Sequence, residues 1–101
     1  NFPKHRYKKF IKDIVNGTLE RNEVINNEIN LHLKEDIDLR RVDKVFEVIL
    51  RSAIFELLYK PTTSSNIIIK EYLNASNFFI DLSQTKFLNA VLDKLSKKIR
   101  S

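Results

Sequence analysis

Apolar residues recur along most of this chain at steps of three and four, the spacing that places side chains on one face of an α-helix. The densest such segment, residues 48–61, reads VILRSAIFELLYKP and is apolar on nearly every side. A helix that is hydrophobic all round must be surrounded by other elements. The pattern therefore predicts a central helix over residues 39–59, which ends before Pro61 because the residue preceding a proline avoids helical geometry.

Four other segments each carry a single apolar stripe and are predicted to be helices packed around the central one. These segments begin at Pro3, Asn22, Ser65 and Ser83. Asn22 and Ser83 are of the residue types that cap helix N termini, and so is Asp38 before the central helix. Ile37 and Val42 flank Asp38 at the spacing of a hydrophobic staple. We therefore expect these three polar residues to be the N-caps of their helices.

The composition favours one domain, residues 1–101, built only from helices. The chain has 43% hydrophobic and 31% charged residues, which is typical of a globular protein rather than a disordered one. One glycine and two prolines are too few for the many turns of an all-β sandwich. The glycine, Gly17, lies inside the first predicted helix and indicates close packing or a bend there. The expected fold class is an all-α compact bundle of about five helices.

Several classes of function lack the residues they need. No apolar run approaches the roughly 18 residues of a membrane-spanning helix, and no cysteine is present for disulfide or thiolate chemistry, as is usual in a reducing cytoplasm. His5 and His32 lie in different predicted helices without metal-ligand spacing. There is no glycine-rich phosphate loop and no nucleophile elbow. We therefore expect a cytoplasmic binding protein, not an enzyme, with no cofactor, metal or membrane contact.

The charge is concentrated at the two ends of the chain. The net charge is +5 overall, and residues 1–13 and residues 86–101 each carry a net charge of +4. This asymmetry indicates a polyanionic partner. Lysines that only keep helix surfaces solvated would give the same pattern.

Two charged residues, Arg51 and Glu56, lie inside the central apolar segment, and both are expected to be structural. Glu47 precedes Arg51 by four residues, in the favourable order for an ion pair on a helix. A structural role, with the charge paired to a neighbouring carboxylate, is the expected role of Arg51. Asp93 is expected to organise a helix end or to pair with Lys97.

A second block completes a recognisable combination. Residues 86–95 read KFLNAVLDKL and follow the central segment, with Ile67, Ile69 and Glu71 between the two. Many helical proteins contain a leucine-arginine-apolar run, but few follow it at this distance with KF, N and VLD. In this combination the chain resembles the C-terminal part of NusB-type transcription antitermination factors.

The resemblance implies an all-helical fold and an RNA-binding function. NusB-type proteins bind the boxA element of nascent, single-stranded RNA together with the small-subunit ribosomal protein that serves as NusE. They help RNA polymerase pass terminators within an antitermination complex, notably in ribosomal RNA operons. Because Asn1 aligns near the loop before the third helix of these proteins, the resemblance predicts that their arginine-rich first helix and the next helix are missing from this sequence. We therefore expect an exposed apolar patch on the first predicted helix, which would allow a homodimer, and weaker RNA binding than in complete members.

Lys86, Phe87 and Asn89, in the matching block, are the residues expected to contact RNA. Unpaired bases stack on aromatic rings, lysine meets phosphate and an amide reads a base edge. We expect the block to open the last helix, whose N terminus would favour phosphate. Phe87 also fits the core pattern, and Lys86 and Asn89 also fit a solvated surface. Three lysines on one face of the first predicted helix are further candidate phosphate contacts: Lys4, Lys8 and Lys12.

The chain departs from the family pattern at two positions of interest. Phe46 occupies a position that is acidic in some relatives and touches the ribosomal partner there. The resemblance therefore assigns the partner contact to Phe46 and the adjacent Glu47. Ala90 stands where the family usually has a glycine.

Two other functions remain open from the sequence. One is the NusB-like RNA-binding domain that precedes the catalytic domain in certain ribosomal RNA cytosine methyltransferases. The other is a purely structural helical interaction domain, whose basic ends only keep it soluble.

Overall fold

The computed structural model describes Asn16 and residues 21–100, and this part of the chain is all-helical. It contains four helices: α1 (Asn22–Leu33), α2 (Lys44–Tyr59), α3 (Ser65–Ser76) and α4 (Leu82–Ile99). The all-α prediction is therefore confirmed. The first predicted helix, residues 3–20, lies outside the described residues apart from Asn16, and with it Gly17 and the lysines at positions 4, 8 and 12.

The apolar segment predicted to be central is helix α2, and it packs against each of the other three helices. Helices α3 and α4 also pack against each other, and α1 lies across α2 and α4. The predicted stripes supply the core, since Ile25, Ile29 and Leu33 of α1 are all at most 3% exposed. Their main counterparts from the other helices are Leu50, Ala53, Ile54, Ile69, Leu88, Val91, Leu92 and Leu95. The periodicity therefore located both the helices and their buried faces.

The predicted start of the central helix is wrong by five residues. The Asp43 side chain accepts a hydrogen bond from Val45 N at 2.7 Å and caps α2 at Lys44. Asp38 instead accepts from Arg40 N at 3.0 Å and from the Arg40 guanidinium. These contacts lower the pKa of Asp38. Asp38 therefore closes a turn in the loop between α1 and α2.

Two other predicted caps are also wrong. Asp81, not Ser83, caps α4, because its Oδ1 accepts from Gln84 N at 2.8 Å. Asn22 is already inside α1, whose N-cap residue, Arg21, makes no side-chain capping bond. Ser64 caps α3, because its hydroxyl accepts from Ile67 N at 3.2 Å.

The Asn22 side chain contributes instead to a network around Arg51. The Arg51 guanidinium donates to Glu47 Oε2 at 3.1 Å, and this is the predicted ion pair. The same guanidinium donates to Asn22 Oδ1 at 3.1 Å and to Asn26 Oδ1 at 2.5 Å. Because the arginine side chain is only 17% exposed, the network joins α1 to α2 through a largely desolvated charge.

Arg100, counted from the sequence as part of a basic C-terminal surface, is bound to the interior of the bundle. Its guanidinium donates to the backbone carbonyl oxygens of Leu57 at 2.9 Å, Lys60 at 2.9 Å and Glu56 at 3.3 Å, and also to that of Thr63. The last carbonyls of a helix have no partner within the helix. Arg100 therefore closes the C-terminal end of α2 from the end of α4.

Glu56, predicted to be structural, is buried on α2 and faces Tyr72 of α3. Burial raises the pKa of the Glu56 carboxyl, and the negative charge of Glu71 raises it further. The Tyr72 hydroxyl and Lys60 oppose this shift. Among the described residues, no partner lies at hydrogen-bonding distance and angle from the buried Glu56 Oε2 or from the Tyr72 hydroxyl. Removal from water is therefore the main cause of the raised pKa.

The raised pKa predicts a pH-dependent stability. Native protein holds the Glu56 proton more tightly than unfolded protein, so the free energy of unfolding should fall as pH rises from about 4.5 through the folded-state pKa. Glu56→Gln should remove this decline. At pH values above the folded-state pKa of Glu56 it should be the more stable protein, by about 1.4 kcal/mol for each pH unit by which folding raises that pKa. Urea unfolding of both proteins between pH 4 and pH 8 measures the effect.

The matched control is Glu23→Gln on the exposed surface of α1, which should leave the decline intact. The pKa of Asp38 is lowered from its ordinary value of 3.8, so Asp38 titrates below the range of pH 4 to pH 8. Its contribution to stability is lost as pH falls, the opposite of the change expected for Glu56. An unchanged decline in Glu56→Gln would contradict the assignment to Glu56.

Candidate nucleic-acid interface

The residues predicted to contact RNA lie on the solvent-facing side of α4. Lys86 and Asn89 are exposed and stand three residues apart, so they share one face of the helix. Leu82, one turn before Lys86 on that face, is 67% exposed. The opposite face carries the buried Leu88, Val91, Leu92 and Leu95. The exposure of Lys86 and Asn89 leaves both side chains available to a ligand.

Phe87 lies at the edge of this face, between solvent and core. Its ring is 40% exposed and stacks on the ring of Phe46, with centroids 5.7 Å apart and planes 18° from parallel. Offset-stacked aromatic pairs are favourable in this range of separations. The ring therefore serves both packing and surface, whereas the sequence pattern set these two roles as alternatives.

Phe46 itself is only 1% exposed, so the partner contact predicted for it needs correction. A buried ring presents no surface to another protein, and its position on α2 is that of a support beneath Phe87. Glu47, next in sequence, is half-buried and paired with Arg51, with Lys44 Nζ at 3.8 Å. A role for Glu47 toward a partner remains a prediction.

The predicted block does not open its helix. Because Asp81 caps α4 and Leu82 is its first residue, Lys86 is the fifth residue of the helix. The Asp81 carboxylate already accepts from one of the first backbone N–H groups. Lys86, Phe87 and Asn89 therefore lie beyond the first turn of α4, and the contacts predicted for them rest on their side chains.

The lysines of α4 differ in what they contact. Lys86, Lys97 and Lys98 are exposed, whereas Lys94 forms an ion pair with Asp36, just beyond α1. Asp93 is exposed, and within the described part of the chain it makes no ion pair, so the pairing predicted with Lys97 does not form. The surface of α4 therefore keeps a net positive charge along its length.

A further exposed feature was missed from the sequence. Phe78 and Phe79, in the loop between α3 and α4, are 85% and 63% exposed. Neither ring belongs to the apolar stripe of a helix, and a pair of aromatic residues outside every stripe was the signal available. Together with Leu82 they leave apolar surface at the N-terminal end of α4.

The described residues contain neither a membrane-spanning helix nor a metal-binding cluster. No helix there is both long enough and apolar enough to cross a membrane. Across Asn16 and residues 21–100, no group of three or more histidine, cysteine or acidic side chains converges in a way that would hold a metal ion.

The chain is similar in sequence to known proteins. The NusB family matches residues 3–97. Among curated proteins, the transcription antitermination protein NusB of Lysinibacillus sphaericus is 37% identical over 89 residues, which cover 88% of this chain and 69% of that protein. The protein of the same name from Oceanobacillus iheyensis is 35% identical over 92 residues, covering 91% of this chain and 72% of the relative.

A third relative is more distant. The transcription antitermination protein NusB of Bradyrhizobium diazoefficiens is 26% identical over 91 residues, which cover 90% of this chain. The match spans 55% of that relative's length. No solved structure gives a significant match.

Proposed function

This chain belongs to the NusB family, and from that premise we propose that it is an RNA-binding transcription antitermination factor. In this proposal it binds boxA-type single-stranded RNA together with the ribosomal protein NusE. The assembly acts on RNA polymerase in the bacterial cytoplasm and promotes processive transcription, notably of ribosomal RNA operons. The chain contributes binding surfaces and no chemistry of its own.

The family match over residues 3–97 is the observation that carries the proposal. The exposed face of α4 supports it, because it combines a lysine, an aromatic ring and an amide within four residues, 86–89. Single-stranded RNA is recognised by base stacking on aromatic rings and by hydrogen bonds to base edges. Lysine adds sequence-independent attraction to phosphate. Lys86, Phe87 and Asn89 would supply these three kinds of contact.

The test is binding of a boxA-type RNA oligomer by fluorescence anisotropy at several salt concentrations. We expect tighter binding than to a scrambled oligomer, with affinity falling as salt rises because bound phosphates release counterions. Lys86→Ala should weaken the binding of both RNAs alike. It should also lower the slope of log affinity against log salt concentration by about 1, as expected for one lost phosphate contact. Addition of NusE should tighten binding to the boxA-type RNA.

Lys70→Ala is the matched control, since Lys70 is an equally exposed lysine on α3. Its RNA affinity and salt slope should stay close to those of the unaltered chain. Equal affinity for the boxA-type and scrambled oligomers would contradict antitermination through boxA, and no RNA binding at all would exclude the proposed function.

A further inference from the structure

A small hollow lies beside Phe87, between the end of α1 and the exposed side of α4. It is lined by Leu33, Asp36, Phe87, Ala90, Val91 and Lys94, and its volume is about 210 Å³. The Phe87 ring and the aliphatic side chains give it an apolar floor, and Asp36 and Lys94 place opposite charges at its rim. An apolar concavity with a few convergent polar groups is the usual form of a ligand site.

The size of the hollow limits what it can hold. Pockets for drug-sized ligands are typically about 300–1,000 Å³, so this one suits a single planar ring system. Phe87 and Lys94 stand two helical turns apart, roughly 10 Å along the axis, with Ala90 between them. A flat ligand can therefore touch the aromatic edge at one end and the charged pair at the other.

The two charged residues at the rim can form hydrogen bonds with a ligand in the hollow. Lys94 Nζ donates to Asp36 Oδ2. A carboxylate has about four acceptor positions, and an ammonium group has three donor hydrogens, so both groups keep capacity after pairing. The rim therefore offers two carboxylate acceptors next to a lysine donor, with the Asp36 and Lys94 side chains 39% and 45% exposed.

We propose that this hollow binds one unpaired guanine base of the RNA, with its ring against Phe87 and its Watson–Crick edge on Asp36 and Lys94. Guanine presents two donors, the N2 amino group and N1–H, beside one acceptor, O6, and this order complements the rim. Cytosine, adenine and uracil each offer a single donor group on that edge. The inference rests on the proposed function and adds to it a base preference and two residues, Asp36 and Lys94.

An RNA base is favoured over a protein side chain by the surrounding charge. The exposed surface of α4 carries Lys86, Lys97 and Lys98 against one acidic residue, Asp93. A phosphate backbone that leads a base into the hollow would be attracted along this whole face. The hollow also adjoins Phe87, so a base held there continues the RNA surface defined by Lys86, Phe87 and Asn89.

The experiment compares four labelled 12-nucleotide RNAs by fluorescence anisotropy at one salt concentration. One is all uridine, and the others carry a single central guanosine, inosine or adenosine. Because the flanking bases are all uridine, the RNA can shift along the protein until its single guanine, hypoxanthine or adenine base reaches the hollow. We expect the guanosine RNA to bind about tenfold more tightly than the adenosine RNA, within the range for a bidentate base contact, with inosine between them because it lacks the N2 amino group.

Two variants test the assignment to the hollow. Asp36→Asn replaces one acceptor by a donor and should reduce the guanosine preference to below twofold. Ala90→Leu fills the hollow from an exposed helical position and should do the same. Ala90→Leu changes no charge and should bind all-uridine RNA within about twofold of the native chain, whereas Asp36→Asn removes a negative charge beside Lys94 and should bind it somewhat more tightly. Asp93→Asn, an exposed carboxylate on the same helix outside the hollow, should keep the full preference.

The outcomes separate this inference from the proposed function. RNA binding without a guanosine preference, or a preference retained in both hollow variants, would overturn the guanine site and leave the RNA-binding function standing. A preference retained in both variants together with weakened binding of NusE would make the hollow a protein contact instead. A native chain that binds none of the four RNAs would overturn both.

Discussion

Phe46→Ala should destabilise the protein by about 3–5 kcal/mol, the usual loss when a buried aromatic side chain is truncated. Phe46 is 1% exposed, so truncation leaves a cavity between α1, α2 and α4 as well as removing apolar burial. The stacking with Phe87 is lost too. Small domains have a total stability of about 5–15 kcal/mol, so the variant should lose a large part of it. Urea unfolding followed by circular dichroism measures the change.

The same substitution should weaken RNA binding at temperatures where the variant is still folded. Without the ring beneath it, Phe87 can turn into the cavity and leave the surface, while Lys86 and Asn89 stay exposed. Phe46→Leu is the control, because it keeps most of the buried volume and should lose less than half as much stability. Phe87→Leu separates the two roles, since it should reduce RNA affinity with a smaller loss of stability. An unfolding free energy for Phe46→Ala within 1 kcal/mol of the unaltered chain would contradict this account.

Helix positions and buried faces followed from the sequence because they depend on local periodicity. Ile25, Ile29 and Leu33 recur at steps of four, and all three are buried. The periodic placement of Leu88 and Leu92 in the core also left Lys86 and Asn89 outside it. Any packing that buries the apolar stripe of α4 must expose this face, so the availability of these two side chains was predictable.

Helix starts were predicted less well because several residues satisfied the same local rule. Asp38 and Asp43 both precede apolar residues and both can cap, and the same holds for Asp81 and Ser83. The staple spacing of Ile37 and Val42 favoured Asp38, but these two side chains pack against the core from within the loop. The choice between eligible caps depends on where the helix meets its neighbours, and local sequence does not contain that information.

Contacts between distant segments could not be predicted either, because local sequence does not show which helices meet. Arg100 meets carbonyl groups 37–44 residues earlier in the chain, and Lys94 meets Asp36 at a separation of 58 residues. In the sequence both residues belonged to one basic cluster near the C terminus. Because both side chains are already paired, the α4 lysines expected to meet RNA phosphate narrow to Lys86, Lys97 and Lys98, while Lys94 stays at the rim of the hollow beside Asp36.

Arg100→Ala should destabilise the protein by about 2–3 kcal/mol, although Arg100 lies beyond the last residue of α4. The substitution removes four charge-assisted hydrogen bonds to backbone carbonyls, and hydrogen bonds to charged groups contribute about 1.5–3 kcal/mol when made singly. The sum is smaller than four such values because water can reach part of this site. A guanidinium also offsets the negative end of the α2 dipole.

The control variants for Arg100 separate geometry from charge. Arg100→Lys keeps the charge near the end of α2, but one ammonium group cannot match the fork of donors, so we expect it to recover less than half of the lost stability. Lys98→Ala removes an exposed positive charge from the same turn and should change stability by less than about 0.5 kcal/mol. Thermal unfolding should show a midpoint about 10–20 °C lower for Arg100→Ala, given about 4–8 °C per kcal/mol in a domain of this size. Equal midpoints for Arg100→Ala and Lys98→Ala would mean that the closure of α2 by Arg100 does not stabilise the fold.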